Sequence, residues 1–273
     1  MASIEENRSV WAESYGWPQA GDEWSGPWGG THAMWETTIL PRICAFVPTG
    51  TILEVAPGYG RCTQFLKDLC DHLIAVDLSP RCIAACAERF PDCGIELHVN
   101  DGKSLPMVRD KSVDFVFSWD SLVHVEAGTL NAYAVELARV LKPGGAGFFH
   151  HSNIGSYAFV LKLSKRFPER IGYLKPRSAL VDRGLLIDTV HWRAESVTAA
   201  CFAAIFERAG VPCREQELVA CGHHRFLTDC FSTFTPRGSR WDRGNRIVRN
   251  PGFPAEQRKA RLAAQGSLEL TTK

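Results

Sequence analysis

Thr51-Ile-Leu-Glu-Val-Ala-Pro-Gly-Tyr-Gly-Arg61 opens the stretch that decides the fold, and the chain runs on through Cys62-Thr-Gln-Phe-Leu-Lys-Asp-Leu-Cys-Asp-His-Leu-Ile-Ala-Val-Asp77. The apolar run Ile52 to Val55 reads as a strand. Gly58 and Gly60 allow a sharp turn at its carboxyl end, where a ligand can lie against bare backbone. A helix is expected from near Arg61, showing Phe65, Leu66 and Leu69 on its apolar face and returning the chain to a parallel strand, Leu73 to Val76. Asp77 then stands at the mouth of the same crevice. A carboxylate about 20 residues after a glycine turn is placed to accept hydrogen bonds from both hydroxyls of a ribose, so the ligand is expected to be an adenosine compound. Gly60 is followed by Arg61, Cys62 and Thr63, without the third small residue that a dinucleotide site needs, so a ligand without a pyrophosphate fits better.

Working outward, Ser79 and Pro80 start a second helix, and a third strand, Ile95 to Val99, ends at Asn100-Asp101-Gly102. Asp101 reads either as a ligand contact or as a simple turn residue. The fourth strand, Val113 to Ser118, is expected beside the first across the switch in strand order, which aims Asp120 at the reaction zone. His124 lies four residues later and shares a face with Asp120 if a helical turn begins there. A helix from Thr129 to Leu141 leads to Lys142-Pro-Gly-Gly145 and a fifth strand, Ala146 to His150, finishing in His150-His151-Ser152-Asn153. Adjacent histidines point to opposite faces of a strand, so only one is expected at the crevice. A last helix, Ala194 to Ala209, and two strands, Cys213 to Cys221 and Phe226 to Thr235, complete a sheet of seven.

The segment Glu54 to Arg61 resembles the first motif of class I S-adenosylmethionine-dependent methyltransferases, and "ELARVLKPGG" is a structural marker of the same family. "WDSLVHVE" and "FFHHSN" resemble segments of small bacterial sugar O-methyltransferases. The resemblance covers residues 50 to 235 and implies a Rossmann-like α/β fold. It also implies S-adenosylmethionine as cofactor, held by Glu54, Ala56, Gly58, Gly60, Arg61, Asp77, Leu78, Asp101, Gly102, Ser118 and Asp120. In metal-dependent relatives the ends of strands four and five supply ligands. Here these are Asp120, His150 and His151, with Mg2+ as the implied ion, although a site containing histidine suits manganese, cobalt or zinc equally well. Asp120, His124 and His151 are the catalytic candidates, a histidine acting as base on a hydroxyl that is a poor nucleophile while protonated. Trp35, Glu36, Tyr157 and His224 are the candidates for acceptor contact.

The expected organisation is an aromatic N-terminal lid and helix over 1–48, a cofactor-binding core over 49–153, a basic and aromatic substrate cap over 154–193, the end of the core over 194–235, and a loose tail over 236–273. At 273 residues the chain can bury a full α/β core. A net charge of +1 gives no electrostatic footprint for nucleic acid. No signal peptide or bilayer-spanning run is read, so a cytoplasmic protein without a membrane partner is expected. The 10 cysteines fall mostly within apolar patterns and read as free thiols. The oligomeric state, a homodimer included, stays open. Three functions compete: transfer to a sugar hydroxyl of the methylmannose polysaccharide type, metal-free transfer to a phenol, amine or carbon acid, and cofactor binding without catalysis.

Overall fold

The computed structural model describes residues 3–169, 175–188, 192–221 and 225–271. Its frame is one sheet of eight strands: β1 Thr49–Val55, β2 Cys70–Asp77, β3 Glu96–Val99, β4 Val113–Ser118, β5 Leu141–Ser152, β6 Cys213–Val219, β7 Asp229–Phe234 and β8 Arg246–Asn250. The order is β3-β2-β1-β4-β5-β7-β6-β8, with β7 running antiparallel between β5 and β6. Strand order therefore reverses between β1 and β4, and their carboxyl ends frame a crevice at the switch.

The central strands are apolar on both faces because helices cover both. On one face Leu53, Val116 and Phe149 pack with Leu137 of the helix Ala127–Val140 and with Phe202 and Phe206 of the helix Ala199–Ala209. On the other, Ile52, Phe117, Phe148 and Phe231 pack with Met34, Trp35 and Ile39 from the helical segment 31–43, and with Phe253 from the helix Phe253–Thr271. Each fully buried phenylalanine contributes about 1.5–3 kcal/mol of burial free energy. Strand parity continues to the site: His150 follows Phe148 onto the second face and His151 follows Phe149 onto the first.

Several expectations change here. The sheet has eight strands rather than seven. The segment expected to be a loose tail supplies both the extra strand, β8, parallel to β6, and a long helix whose Phe253 and Ala260 enter the core. The helix after the glycine turn is a single turn, Thr63–Leu66, and the last core helix begins at Ala199, where the Thr198 side chain accepts a hydrogen bond from the Cys201 N–H. Within 154–193 the described residues form a 3-10 turn, Ile154–Tyr157, and two α-helices, Ala158–Arg166 and Pro176–Asp182. All ten cysteines are free. Among the described residues no helix is long and apolar enough to cross a membrane.

Candidate active site

A cavity of about 1040 Å³ opens at the switch point, lined by the carboxyl ends of β1, β2, β4 and β5, the N-terminal segment and the C-terminal helix. Its size reaches the upper end of small-molecule sites, enough for two ligands side by side.

One half centres on the glycine turn. Gly58 and Gly60 both have positive φ, 59° and 85°. A Cβ on Gly60 would lie 2.5 Å from the Phe90 ring, and one on Gly58 would lie 3.0 Å from Trp17. Both glycines therefore serve close packing of the chain on itself as well as the turn. Trp17 stacks on Tyr59, ring centroids 4.6 Å apart, and covers this end of the cavity. Asp77 ends β2 inside the cavity and accepts hydrogen bonds from the backbone N–H of Gly58 (3.1 Å) and Ser79 (2.8 Å). Burial pushes its carboxyl up to about 6, against the pull of those donors. Glu54, also buried, accepts from the Thr63 hydroxyl at 2.6 Å, and burial pushes it up to about 7. Ala56, Arg61, Leu78, Gly102 and Asp120 join this wall, whereas Ser118 is buried behind it. Asp101 does not reach the cavity. It is exposed, and Oδ1 accepts from the backbone N–H of Lys103 and Ser104, the turn reading of this residue.

The other half is built around His150. Its ring lies 4.8 Å from Trp119 and 4.9 Å from Phe231, and the residue is 3 % exposed. Nε2 meets Asp229 Oδ2 at 3.0 Å, while Nδ1 is buried without a hydrogen-bond partner. An ionised carboxylate only accepts, so Nε2 carries a proton, and in the neutral form of the ring Nδ1 presents its lone pair. Asp229 is fixed from behind by Arg193, which donates through Nε to Oδ1 and through Nη2 to Oδ2 (2.7 Å). Against the cost of burial, that guanidinium holds the Asp229 carboxyl far below the usual range. On the cavity side Asp120 Oδ1 lies 3.9 Å from Nδ1, and its Oδ2 pairs with Arg61 Nη2 at 3.0 Å. Arg61 Nη1 has no partner. Asp120 (φ 60°) and Ala56 (φ 59°) are held in the left-handed region, and the Ser121 hydroxyl bonds the Ala56 carbonyl, tying the ends of β1 and β4 together. Such strain in residues other than glycine concentrates at functional sites.

The other candidates do not join the His150 cluster, although His124 also lines the cavity. His151, read as catalytic and metal-ligating, stacks on Phe202 at 3.8 Å on the far face and bonds the Ser232 hydroxyl at 2.8 Å; burial pushes it down to about 3. His124 does not share a helical face with Asp120, because the left-handed Asp120 breaks the chain before the short turn Leu122–His124. Its Nδ1 pairs with the Trp192 carbonyl, its own carbonyl accepts from Asn7, and burial pushes it down to about 4. Trp35 is buried against Phe65, Glu36 is exposed away from the cavity, and the Tyr157 hydroxyl accepts from the Leu227 N–H behind the wall. His224 lies outside the described residues, as do His223, His191, Arg170 and Tyr173.

The metal set Asp120, His150 and His151 is not brought together, since the two histidines face opposite sides of the sheet. His150, Cys221 and Asp229 do offer ligand atoms within 4.8 Å of one another. Asp229 already binds Arg193 through both oxygens, so a cation there would face a fixed positive charge, and the donor set does not fit an Mg2+ site. Sequence reasoning missed Asp229 and Arg193. The only signal was an acid heading a strand that ends near the fifth.

Residues 52–145 match the family described as "Methyltransferase domain". Over 138 residues the chain is 30 % identical to the malonyl-[acyl-carrier protein] O-methyltransferase of Marinomonas sp. (strain MWYL1), covering 48 % of this chain and 50 % of that protein. The chain thus spans half the length of this curated relative. Among solved structures, the PH0226 protein from Pyrococcus horikoshii OT3 superposes with a TM-score of 0.53 at 21 % identity, covering 76 % of this chain and 91 % of that one. A chain of the complex between the Haloferax volcanii Trm112 methyltransferase activator and a methyltransferase gives 0.53 at 18 % identity, covering 86 % and 97 %. Residues 52–145 thus match a methyltransferase domain, and the chain shares the Rossmann-like α/β fold of these solved structures.

Proposed function

We propose that this chain moves a methyl group from S-adenosylmethionine to a hydroxyl oxygen of a small polyhydroxylated acceptor, a sugar being the narrower form and an oligosaccharide of the methylmannose type narrower still. The observation that carries the reading is the open Nδ1 of His150, buried on the cavity wall with its other nitrogen held by Asp229. A hydroxyl needs a base at the moment it attacks, whereas an already nucleophilic amine or thiolate does not. That the curated relative acts on oxygen agrees with this choice.

The bound cofactor supplies a methyl group made electrophilic by the sulfonium. The protein's share is positioning and one proton. Asp77 is set to hold the ribose hydroxyls, and the unpartnered Nη1 of Arg61 suits the carboxylate of the methionine portion. A hydroxyl entering beside Nδ1 can donate its single hydrogen there, with Asp120 Oδ1 3.9 Å from Nδ1. His150 takes the proton at Nδ1, Asp229 keeps the ring oriented and stabilises the imidazolium, and Arg193 keeps Asp229 in place. Trp28, Trp119 and Phe253 line the chamber, apolar faces that suit the C–H faces of a sugar ring. Trp11, Trp17 and Trp24 from the N-terminal segment close over the remaining side as a lid.

The test is transfer of label from S-adenosylmethionine to a panel of sugars, carboxylic acids, phenols and amines, with the methylated atom identified by mass spectrometry. Labelling of nitrogen or carbon in place of oxygen would overturn the proposal.

A further inference from the structure

The C-terminal helix Phe253–Thr271 turns one face to the cavity: Phe253, Pro254, Gln257, Arg258 and Arg261 all line it, at the i+3 and i+4 spacings of a single stripe. Phe253 is the buried end of that stripe. Its ring lies 6.1 Å from Trp28 and 5.3 Å from Phe231, whose own ring flanks His150. The other end is basic and open: Arg258 and Arg261 are exposed, about 8 and 12 Å further along the helix axis. The backbone of Arg261 packs over Gly29, the neighbour of Trp28, where an added Cβ would lie 3.1 Å from the Arg261 Cα.

Deeper in the cavity Arg61 is paired with Asp120 and Arg193 with Asp229, whereas neither Arg258 nor Arg261 has a hydrogen bond or ion pair among the described residues. The lining acids Asp182 and Asp188 belong to the segment 154–193 and pair with neither of them. Three residues apart on a helix, the two guanidinium side chains are neighbours, and like charges held there repel. None of the residues three or four places from either arginine is acidic. An anion shared by the two removes that repulsion, and guanidinium groups take a phosphate or carboxylate through paired N–H donors. Resting on the O-methyl transfer reading, whose acceptor this qualifies, we propose that Arg258 and Arg261 bind an anionic group of the acceptor, a phosphate or a carboxylate, carried at the end remote from the hydroxyl presented to His150. The acceptor is then an acidic polyhydroxylated molecule, its ring against Trp28, Trp119 and Phe253 and its charge at the rim.

The test compares wild type with the double variant Arg258→Gln/Arg261→Gln, and with Arg249→Gln as a control at an exposed arginine of β8 outside the cavity. Binding is read without turnover, by calorimetry of maltose 1-phosphate, maltobionate and maltose on the S-adenosylhomocysteine complex. At least one anionic sugar should bind wild type and the control about tenfold or more tighter than maltose, the worth of a charge-assisted hydrogen bond, and the advantage should shrink as salt is raised. Which of the two gains it tells a phosphate site from a carboxylate site. The double variant should lose the advantage while keeping its affinity for S-adenosylhomocysteine, and in turnover its KM for the favoured sugar should rise more than its kcat falls. Equal or undetectable binding of all three sugars by wild type, or an advantage that survives in the double variant, overturns the proposal. Methylation of oxygen without any preference for an anionic sugar overturns the anion site alone. Anion binding that the double variant loses, with the label found on nitrogen or carbon, counts against the transfer reading and leaves the anion site standing.

Discussion

His150 and His151 are adjacent in sequence and opposite in role, which allows a paired test. In His150→Gln, Asp229 keeps Arg193 and no buried charge is orphaned, so the fold should survive and the loss should appear in the chemical step. A general base contributes about 10²–10⁴-fold, or about 3–5 kcal/mol of barrier, so kcat should fall by that factor. Affinity for S-adenosylhomocysteine should change little, because His150 lies in the acceptor half, beside Trp119 and Phe231. His151→Gln should do the reverse. It loses the ring stack on Phe202 and leaves Ser232 without its imidazole partner. The expected cost is about 1–3 kcal/mol of stability, with kcat within about threefold of wild type. The assay is saturating methyl transfer from labelled cofactor, with calorimetric binding and denaturant unfolding on the same preparations. If His150→Gln keeps a third or more of kcat, or a folded His151→Gln loses a hundredfold, the assignment of the base is refuted.

The raised carboxyls of Glu54 and Asp77 make ligand-free stability depend on pH. Their contribution is fully present below about 4 and is lost as pH rises through about 6 for Asp77 and about 7 for Glu54, so the melting temperature should climb on acidification from pH 8 to 5. Cofactor binding should run the other way, since ribose hydroxyls need the ionised Asp77: affinity for S-adenosylhomocysteine, followed by calorimetry, should weaken below about pH 6 and hold steady above 7. Prolonged EDTA treatment should leave the rate unchanged, because the donors around Asp229 are already committed to Arg193; loss of activity restored by a divalent cation would contradict this. Phe253→Ala, removing a ring that is 1 % exposed, should cost about 3–5 kcal/mol in urea unfolding; an unchanged midpoint would show the C-terminal helix to be dispensable.

Four of the first five strands were legible as apolar runs bounded by turn residues, and the third, Glu-Leu-His-Val, by the turn Asn100-Asp101-Gly102 that ends it. Asp77 and the glycine turn were legible because spacing along one crossover fixes their geometry. The C-terminal strand and helix were not. Arg246–Asn250 is a largely exposed edge strand, and the helix buries few side chains, Phe253 and Ala260 among them, so neither has a strong apolar period. The choice between His150 and His151 was closed to sequence reasoning for a similar reason. Phe148 and Phe149 precede them on faces that are equally apolar, and only the segments packed above each face distinguish the two. Asp229 and Arg193 come from distant stretches, the first brought beside His150 by the antiparallel β7 and the second by its bonds to Asp229. The helical pairing of His124 with Asp120 failed at one backbone angle, the positive φ of Asp120.

Arg61, Asp120, His150, Asp229 and Arg193 form a row in which opposite signs alternate around a central imidazole. With that ring uncharged the row is electrically neutral. In the proposed transfer a sulfonium on one side of the chamber would be discharged while the imidazole took up a proton on the other. The total charge enclosed by the protein would then be the same before and after that reaction. A dry interior penalises any change in its enclosed charge far more than a displacement of charge within it. For the proposed reaction the row would serve as a local counterweight, letting the positive charge shift a short way between fixed anions without calling on solvent.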